Sequence, residues 1–413
     1  MRSEATSSRV RKRLLTVAAS VGLVALVAAC GGGGSSGSAD GNGSGTYKVG
    51  VLLGLTGSYS TLGEPELAAA KAYVDRVNKA GGIKGHQLEL VTVDSRSEES
   101  AAVNGFRKLA TQDNVIAILG PSSSGESIAV RQLADSLKVP TITMASASAI
   151  TKGSAYTFKT FYAPTFSIKA MLFAAAESGK KKVAVITPNS EYGNEAIQAT
   201  EQFAGAYGLQ YVGVERYDPA ATDMTPQLTK LRAKNADAVI AFSVLPQSSI
   251  IAKNAKQIGL NALLIQGPGG ASDAYLTGAG DAANGTLVQG SKSLVPDTVP
   301  ESDPQKPTLV AFDTAYRAAT GKPGNQFAGN SWDAFTLLQA ALEKGDVDPS
   351  NVTKARQALL DSLNTNIQDV PGLNARYTFT KDDHASESMK GLSVLKVEGG
   401  KYVLFNGDIP DKS

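Results

Sequence analysis

The stretch VIAILGPSSSGESIAVRQLADSL, residues 115–137, decides the fold. Its first five residues are apolar and begin with two β-branched side chains, which is typical of a buried strand. A glycine–proline–serine turn follows, and residues 124–137 carry apolar side chains at helical spacing. A strand that passes through a short turn into a helix is the repeating unit of parallel sheets covered by helices. The stretch therefore predicts an α/β protein.

The same strand-and-helix unit recurs on both sides of this stretch. In the first series, strands are predicted at 48–53, 88–93, 115–119 and 139–144, and helices at 64–80, 98–112 and 124–137. In the second series, strands are predicted at 182–187, 209–214, 238–242 and 262–266, and helices at 165–178, 193–207, 225–234 and 247–258. Helices near 308–320, 328–344 and 352–363 and strands at 375–379, 391–397 and 401–405 close the chain. Two series of similar size predict two Rossmann-like lobes, with the late helices returning to the first lobe.

The first 45 residues have a different character. Residues 1–13 carry five basic side chains against one acid, and an apolar run of 16 residues follows from Leu14 to Ala29. A run of that length suits a signal peptide better than a membrane span. Val27-Ala28-Ala29-Cys30 resembles a bacterial lipobox, in which the chain is cut before a cysteine that carries lipid. The alternative is a buried free cysteine at the end of an ordinary signal peptide.

We therefore predict a lipoprotein signal peptide over residues 1–29, and a lipidated Cys30 with a flexible glycine- and serine-rich tether over residues 30–45. A phosphate-binding loop is the other reading of those glycines, but it needs a strand before it and a helix after it. Removal of residues 1–29 takes away five basic side chains and one acid, which leaves 35 bases and 37 acids, a net charge of −2. Nothing in that balance indicates a nucleic-acid partner.

The composition argues against several kinds of site. One cysteine excludes an intrachain disulfide framework and a multi-cysteine zinc site, and the two histidines, His86 and His384, are predicted to be solvated turn residues. No phosphate-binding loop motif, HExxH or EF-hand spacing occurs, so no cofactor or metal site is expected. Residues 120–125, GPSSSG, miss the nucleophile-elbow pattern by one position. A hydrolase using Ser122 or Ser123 is therefore kept as an alternative without support.

Polar residues follow three predicted strands at their carboxyl ends, where open α/β sheets place ligands. Residues 120–124 leave one strand, the Ala145–Ser148 segment leaves the next, and residues 189–193 do the same in the second series. Hydroxyl and N–H groups at a helix N-terminus suit a carboxylate, although plain N-capping by serine is the alternative. Three polar rims on two lobes predict a cleft for a small polar ligand.

The chain resembles the leucine/isoleucine/valine-binding family of substrate-binding proteins of ABC importers. The matching stretches are VGVLLGLTGSYSTLG (49–63), NKAGGIKG (78–85), ILGPSSSG (118–125), EYGNEAI (191–197), DMTPQLTKLRAKNADAV (223–239) and QIGL (257–260). The resemblance covers the chain from about residue 46 to its end. It implies a type I periplasmic binding protein with two Rossmann-like lobes, a hinge of three crossovers and a ligand in the interlobe cleft. The expected lobes are 46–161 plus about 295–390, and 162–294 plus about 391–413.

Site residues are carried over from the family by position. Ser122, with Ser123 beside it, would hold a ligand carboxylate, and Ala145, Ser146 and Ser148 would add backbone and hydroxyl contacts. Tyr192 matches a second-lobe tyrosine that covers the ligand after closure, and its alternative is an ordinary aromatic at a helix start. Gly270 belongs to the segment QGPGG, where amino-acid binders carry an acid that pairs with the ligand ammonium.

This sequence departs from the family pattern at several of those positions. Gly269 stands where that acid is expected, and Asp273 would replace it if its loop folds inward, its alternative being a helix cap. Leu62 and Val244 stand where aromatics often occur, and Trp332 is predicted either to wall the pocket or to pack in the core. A branched-chain or other apolar amino acid is the first ligand expected. An amide, a urea-like compound or an aromatic carboxylate is the alternative, because none of these needs an acid to pair with an ammonium.

The resemblance also implies how the protein works. It would be a non-enzymatic receptor without cofactor, anchored by lipid on the extracytoplasmic face of the cell membrane. Its partners would be ABC permease and ATPase subunits, and it is expected to be a monomer. The alternative is a sensory receptor that uses the same trap to signal through a membrane partner.

Overall fold

The computed structural model describes residues 45–385, 388–406 and 409–412. Cys30, the predicted signal peptide and all of the predicted tether except Gly45 lie outside these residues. No helix in the described part of the chain is both long and apolar enough to cross a membrane.

The first sheet is entirely parallel, with five strands in the order β2-β1-β3-β4-β5. Its strands are β1 (Tyr47–Leu53), β2 (Leu88–Asp94), β3 (Ala117–Leu119), β4 (Thr141–Thr143) and β5 (Thr157–Lys159). The helices between them are α1 (Ser60–Lys79), α2 (Glu99–Thr111) and α3 (Ser124–Leu137). Strand β1 is buried along almost its whole length, because helices cover both faces of this sheet.

The second sheet has seven strands in the order β14-β13-β10-β9-β8-β6-β7. Its strands are β6 (Lys182–Pro188), β7 (Gln210–Tyr217), β8 (Ala238–Ala241), β9 (Leu263–Gln266), β10 (Leu287–Gly290), β13 (Ser393–Glu398) and β14 (Lys401–Asn406). The helices of this part are α4 (Pro164–Glu177), α5 (Glu191–Phe203), α6 (Thr225–Ala233), α7 (Gln247–Gln257) and α8 (Asp273–Ala279). Strands β6 to β10 pair in parallel, and β13 and β14 extend the sheet in antiparallel fashion.

Three late helices pack back on the first sheet, as the sequence predicts. They are α9 (Lys306–Thr320), α10 (Gln326–Lys344) and α11 (Val352–Asn366), and a short hairpin of β11 (Val370–Pro371) and β12 (Arg376–Tyr377) follows them. Their apolar side chains join those of β1 and α1 in one buried cluster. The chain thus passes between the two sheets three times, after β5, after β10 and before β13, which confirms the predicted class of two α/β lobes joined by three crossovers.

The structure corrects the sequence prediction at four short elements and one side chain. Strands β5, β10 and β11 and helix α8 were not predicted, because each of these strands has at most two consecutive apolar residues and α8 is shorter than two helical turns. His384 is buried rather than solvated: its ring stacks on Phe158, with centroids 4.0 Å apart, and its Nδ1 lies 3.1 Å from the carbonyl oxygen of Thr157. Burial lowers the pKa of this histidine.

Candidate ligand-binding site

The first wall of the candidate site is the turn between β3 and α3. Gly120 has a φ of +99°, and a Cβ there would lie 2.0 Å from the carbonyl oxygen of Leu52, so only glycine fits. Ser123 is the N-cap of α3: its Oγ accepts from the backbone N–H of Glu126 at 3.4 Å and donates to the Glu126 carboxylate at 2.7 Å. The hydroxyl of Ser123 is thus committed to capping, which was the alternative interpretation of this serine.

Ser122 lies one residue earlier and is not a cap. It is 4% exposed, and its hydroxyl is in a short hydrogen bond with the carboxyl group of Glu66 on α1. Neither histidine is bonded to these serines, because the Nδ1 atoms of His86 and His384 face the carbonyls of Gly45 and Thr157. This arrangement supplies hydrogen-bonding groups for a ligand and gives no support to a serine nucleophile.

The second group of candidate residues, the Ala145–Ser148 segment, follows β4, which pairs with β3 in the sheet. Ala145 is buried in a small apolar cluster with Ala147 and Ile150, and the backbone N–H of Ala147 donates to the Ser124 hydroxyl at 3.2 Å. The carbonyl of Ser146 accepts a hydrogen bond of 3.0 Å from the ammonium of Lys159, which is fully buried. The segment therefore lies against the start of α3, with a positive charge beneath it.

Ser148 connects this rim to the second lobe. Its backbone N–H and its hydroxyl both donate to the Glu195 carboxylate, each over 3.0 Å to the nearer oxygen. Burial raises the pKa of Glu195, while the hydrogen bonds from Ser148 and the charge of Lys159 act in the opposite direction. Since Glu195 lies on α5, one turn after Tyr192, this contact brings the first rim against the helix that carries Tyr192.

Tyr192 belongs to an aromatic wall at the carboxyl ends of the second sheet. Its half-buried ring stacks on Phe242, with centroids 4.2 Å apart and planes 22° apart. Tyr217, at the end of β7, donates its hydroxyl hydrogen to Ser243 at 2.7 Å. Burial raises the pKa of the Tyr192 hydroxyl well above its usual value, and Tyr217 and Tyr162 add to the effect. The wall is thus apolar and uncharged, with phenol groups at its edge.

The segment after β9 holds no acid that faces this wall. A Cβ on Gly269 would lie 2.2 Å from the Ser243 carbonyl oxygen and 2.5 Å from the Val244 Cα, so this backbone admits no side chain there. Gly270 uses both of its backbone groups inside the lobe: its N–H donates to Gly267, and its carbonyl accepts from the Tyr402 hydroxyl. Its Cβ position is also filled, by Gln266 at 2.7 Å.

Two predicted residues lie away from these walls. Asp273 is exposed at the first position of α8, and the charges of Arg317 and Lys322 act on its carboxylate. Trp332 is 1% exposed and packs edge-on against Tyr73, at 4.7 Å between ring centroids, in the core of the first lobe. Trp332 therefore packs in the core, which was its alternative interpretation, and Asp273 lies exposed at the start of α8 rather than on a loop folded inward.

Sequence reasoning missed four residues that the structure places at these walls: Glu66, Lys159, Tyr217 and Phe242. Glu66 had a detectable signal, because it falls on the same helical stripe as the buried residues Leu62, Ala69 and Tyr73. Tyr217 and Phe242 end or follow strands, which is where ligand contacts occur in this fold. Lys159 lies on the short strand that the sequence did not reveal.

No group of three or more histidine, cysteine, aspartate or glutamate side chains in the described ranges is arranged to hold a metal ion. The walls instead offer hydroxyls, amides, a buried acid, a buried ammonium and an aromatic surface. Such a set of groups binds a small polar solute through hydrogen bonds and ring contacts.

Comparisons with known proteins agree with this geometry. The sequence model of a family described as periplasmic binding protein matches residues 46–401. A leucine-, isoleucine-, valine-, threonine- and alanine-binding protein of Pseudomonas aeruginosa is 27% identical over 318 residues, which is 76% of this chain and 82% of that protein. Leu/Ile/Val-binding protein homolog 8 of Brucella abortus is 29% identical over 327 residues, 76% of this chain and 80% of its own.

Solved structures show the same fold. The branched-chain amino acid transporter substrate-binding protein LivJ of Streptococcus pneumoniae, in complex with isoleucine, superposes with a TM-score of 0.75 at 26% identity, covering 86% of this chain and 97% of its own. A solute-binding protein of an ABC transporter from Rhodopseudomonas palustris, in complex with 3,4-dihydroxybenzoic acid, has a TM-score of 0.71 at 23% identity over 86% and 95% of the two chains. With a family match that spans most of its length and a fold shared with these receptors, the chain belongs to the periplasmic binding protein family.

Proposed function

We propose that the protein is the extracytoplasmic receptor of an ABC importer and captures a small carboxylate-bearing solute between its two lobes. Ser122 and the Ala145–Ser148 segment would hold the carboxylate from the first lobe, and Tyr192 and Phe242 would cover the ligand from the second. Support comes from the buried hydroxyl of Ser122 and from the contact between Ser148 and Glu195, which joins the two rims. The lobes would be divided as the sequence predicts, at about residues 161, 294 and 390.

Gly269 bears on the choice between the two expected ligand classes. The family resemblance puts branched-chain amino acids first, and the curated relatives are named for them. However, the backbone at Gly269 admits no acid, and Asp273 is exposed at the start of α8. A buried ammonium without a counter-charge is costly. We therefore favour a carboxylate without an ammonium group, such as an aromatic acid, which would also use the stacked rings of Tyr192 and Phe242.

A melting-temperature screen tests this function. A panel of isoleucine, 3,4-dihydroxybenzoate, benzoate, butyramide and urea should contain a carboxylate that raises the melting temperature. A ligand at a hundredfold excess over its Kd stabilises the folded state by about 2.7 kcal/mol. If no member of the panel raises it, the receptor function proposed here loses its support. Turnover of an ester or amide that disappears in the Ser122→Ala variant would instead favour the hydrolase.

The transport role and the anchor need separate evidence. Genes for a permease and an ATPase beside this gene would favour import over sensing. Lipidation at Cys30 would hold the protein at the membrane, and the folded part described here would reach its partners from there.

A further inference from the structure

Glu66 is a buried acid directly beside the residue proposed to hold the ligand. It lies in the second turn of α1, which follows β1, so it belongs to the same carboxyl edge of the sheet as Ser122. Its side chain is fully buried, and one carboxyl oxygen is in the short hydrogen bond with the Ser122 hydroxyl. Its other oxygen, Oε1, is buried and has no hydrogen-bond partner among the described residues. An ionised oxygen in that position would be far more costly than the carbonyl oxygen of a neutral acid.

A second buried acid stands next to Glu66. Glu126 on α3 accepts hydroxyl hydrogens on both of its oxygens, from Ser95 at 2.5 Å and from Ser123 at 2.7 Å. The two hydroxyl donors satisfy both oxygens of Glu126, and its charge acts on Glu66. The charges of Glu126 and of Glu99 also act on the phenol of Tyr59, the residue just before α1. Burial raises the pKa of Glu66 well above its usual value, and the charge of Glu126 acts in the same direction.

The hydroxyl of Ser122 has one hydrogen to give. If Glu66 is ionised, that hydrogen goes to Glu66, and Ser122 can offer a ligand only its lone pairs. If Glu66 is protonated, its O–H donates to the Ser122 oxygen, and the Ser122 hydrogen is free for a ligand acceptor. Ser122 would therefore bind a hydrogen-bond donor of the ligand when Glu66 is ionised, and a hydrogen-bond acceptor when Glu66 is protonated.

We propose that Glu66 is a protonated positioning residue, which donates to Ser122 and so turns the Ser122 hydroxyl into a donor for a ligand carboxylate. The inference rests on the function proposed above and adds to it the residue that sets the polarity of the site. Carboxylate affinity is then present at pH values below the pKa of Glu66 and is lost as the pH rises through it. Above that pKa, affinity should fall by about tenfold per pH unit, since one proton is linked to binding.

Isosteric variants separate this role from a structural one. In Glu66→Gln the amide N–H₂ donates permanently to Ser122, so carboxylate affinity should not depend on pH between 5.5 and 8.5. In Glu66→Met that donor is lost, and the affinity should fall by about 10- to 100-fold, as in Ser122→Ala. Glu64→Gln, an exposed acid two residues away on the same helix, is the matched control and should behave as the wild type.

The experiment is a calorimetric titration with 3,4-dihydroxybenzoate and with isoleucine at several pH values, with butyramide as the probe that lacks a carboxylate. At least tenfold tighter carboxylate binding by Glu66→Gln than by Glu66→Met supports the proposal, as does any fall in wild-type affinity at high pH that is absent from Glu66→Gln. A loss of affinity in Glu66→Gln equal to that in Glu66→Met, a fall at high pH that persists in Glu66→Gln, or preference for butyramide overturns it. If Glu66→Met does not fold, the comparison of wild type with Glu66→Gln still decides.

A measurement without ligand keeps this inference separate from the proposed function. The infrared difference spectrum between the wild type and Glu66→Gln at pH 7 should contain the carbonyl band of a protonated carboxylic acid. If the panel shows no binding but the band is present, the receptor function fails while the protonated Glu66 stands. If the band is absent, the inference fails whatever the protein binds.

Discussion

Replacement of Gly269 tests whether the missing acid is a matter of backbone geometry. A Cβ at this position would lie 2.2 Å from the Ser243 carbonyl oxygen and 2.5 Å from the Val244 Cα. Both atoms are backbone, so no side-chain rotation relieves the overlap. Overpacking of a filled site costs about 1–3 kcal/mol, and we expect Gly269→Ala to lie near the upper end of that range. Gly269→Glu, which introduces the acid expected from the family pattern, should be at least as unstable and should gain no affinity for isoleucine.

The assay is equilibrium unfolding in urea followed by circular dichroism, together with isoleucine titration of each variant. Gly205→Ala is the matched control, because a Cβ at Gly205 meets no atom within 4 Å. That control should change the free energy of unfolding by less than about 0.5 kcal/mol. A Gly269→Ala variant as stable as this control, or a Gly269→Glu variant that binds isoleucine tightly, would refute the reasoning.

Three further predictions follow from the described contacts, and a fourth concerns Cys30, which lies outside the described residues. Ser122→Ala should weaken carboxylate binding by about 1.5–3 kcal/mol in calorimetry, and unchanged affinity would mean that the carboxylate lies elsewhere. Trp332→Ala should lower the free energy of unfolding by about 3–5 kcal/mol while the folded variant keeps its affinity for the ligand. A loss of ligand affinity without a loss of stability would mean that Trp332 lines the pocket. Stability should fall as the pH drops below 6.5, because the unfolded chain takes up the proton that buried His384 resists, and His384→Gln should flatten this part of the urea-unfolding profile. Cys30→Ser should move the protein from the membrane fraction to the soluble fraction, and retention at the membrane would contradict lipid anchoring.

Elements with a clear apolar pattern could be predicted from the sequence, and elements without one could not. Helix α3 begins and ends where the pattern of residues 124–137 predicts, because Ser123 caps it and its apolar spacing is unbroken. Strand β5, Thr157–Lys159, has Phe158 as its one apolar residue, so its sequence does not separate a strand from a loop. Strands β3 and β4 are equally short, but they lie within the longer β-branched stretches 115–119 and 139–144. The omission of β5 also hid Lys159, whose ammonium lies under the Ser146 carbonyl.

The candidate site was predictable where chemistry follows strand ends, and less so where it depends on packing. Ser122 could be named from its place after β3. Glu66 could not be assigned a role, because its importance comes from a partner 56 positions away that only the folded chain brings near. The same holds for Gly269: the sequence shows that the acid is absent, and only the closeness of the Ser243 carbonyl explains why.

The hydrogen bond between Ser148 and Glu195 bears on how the presence of a bound ligand would be signalled to a membrane partner. It links the two lobes beside the proposed cleft, with Ser148 exposed and Glu195 half-buried, and an intramolecular hydrogen bond typically contributes about 0.5–1.5 kcal/mol. A free-energy difference of that size favours the closed arrangement of the lobes by roughly tenfold at most. The two lobes would therefore be held together chiefly by the bound solute. The closed conformation would then indicate to a membrane partner that a ligand is bound.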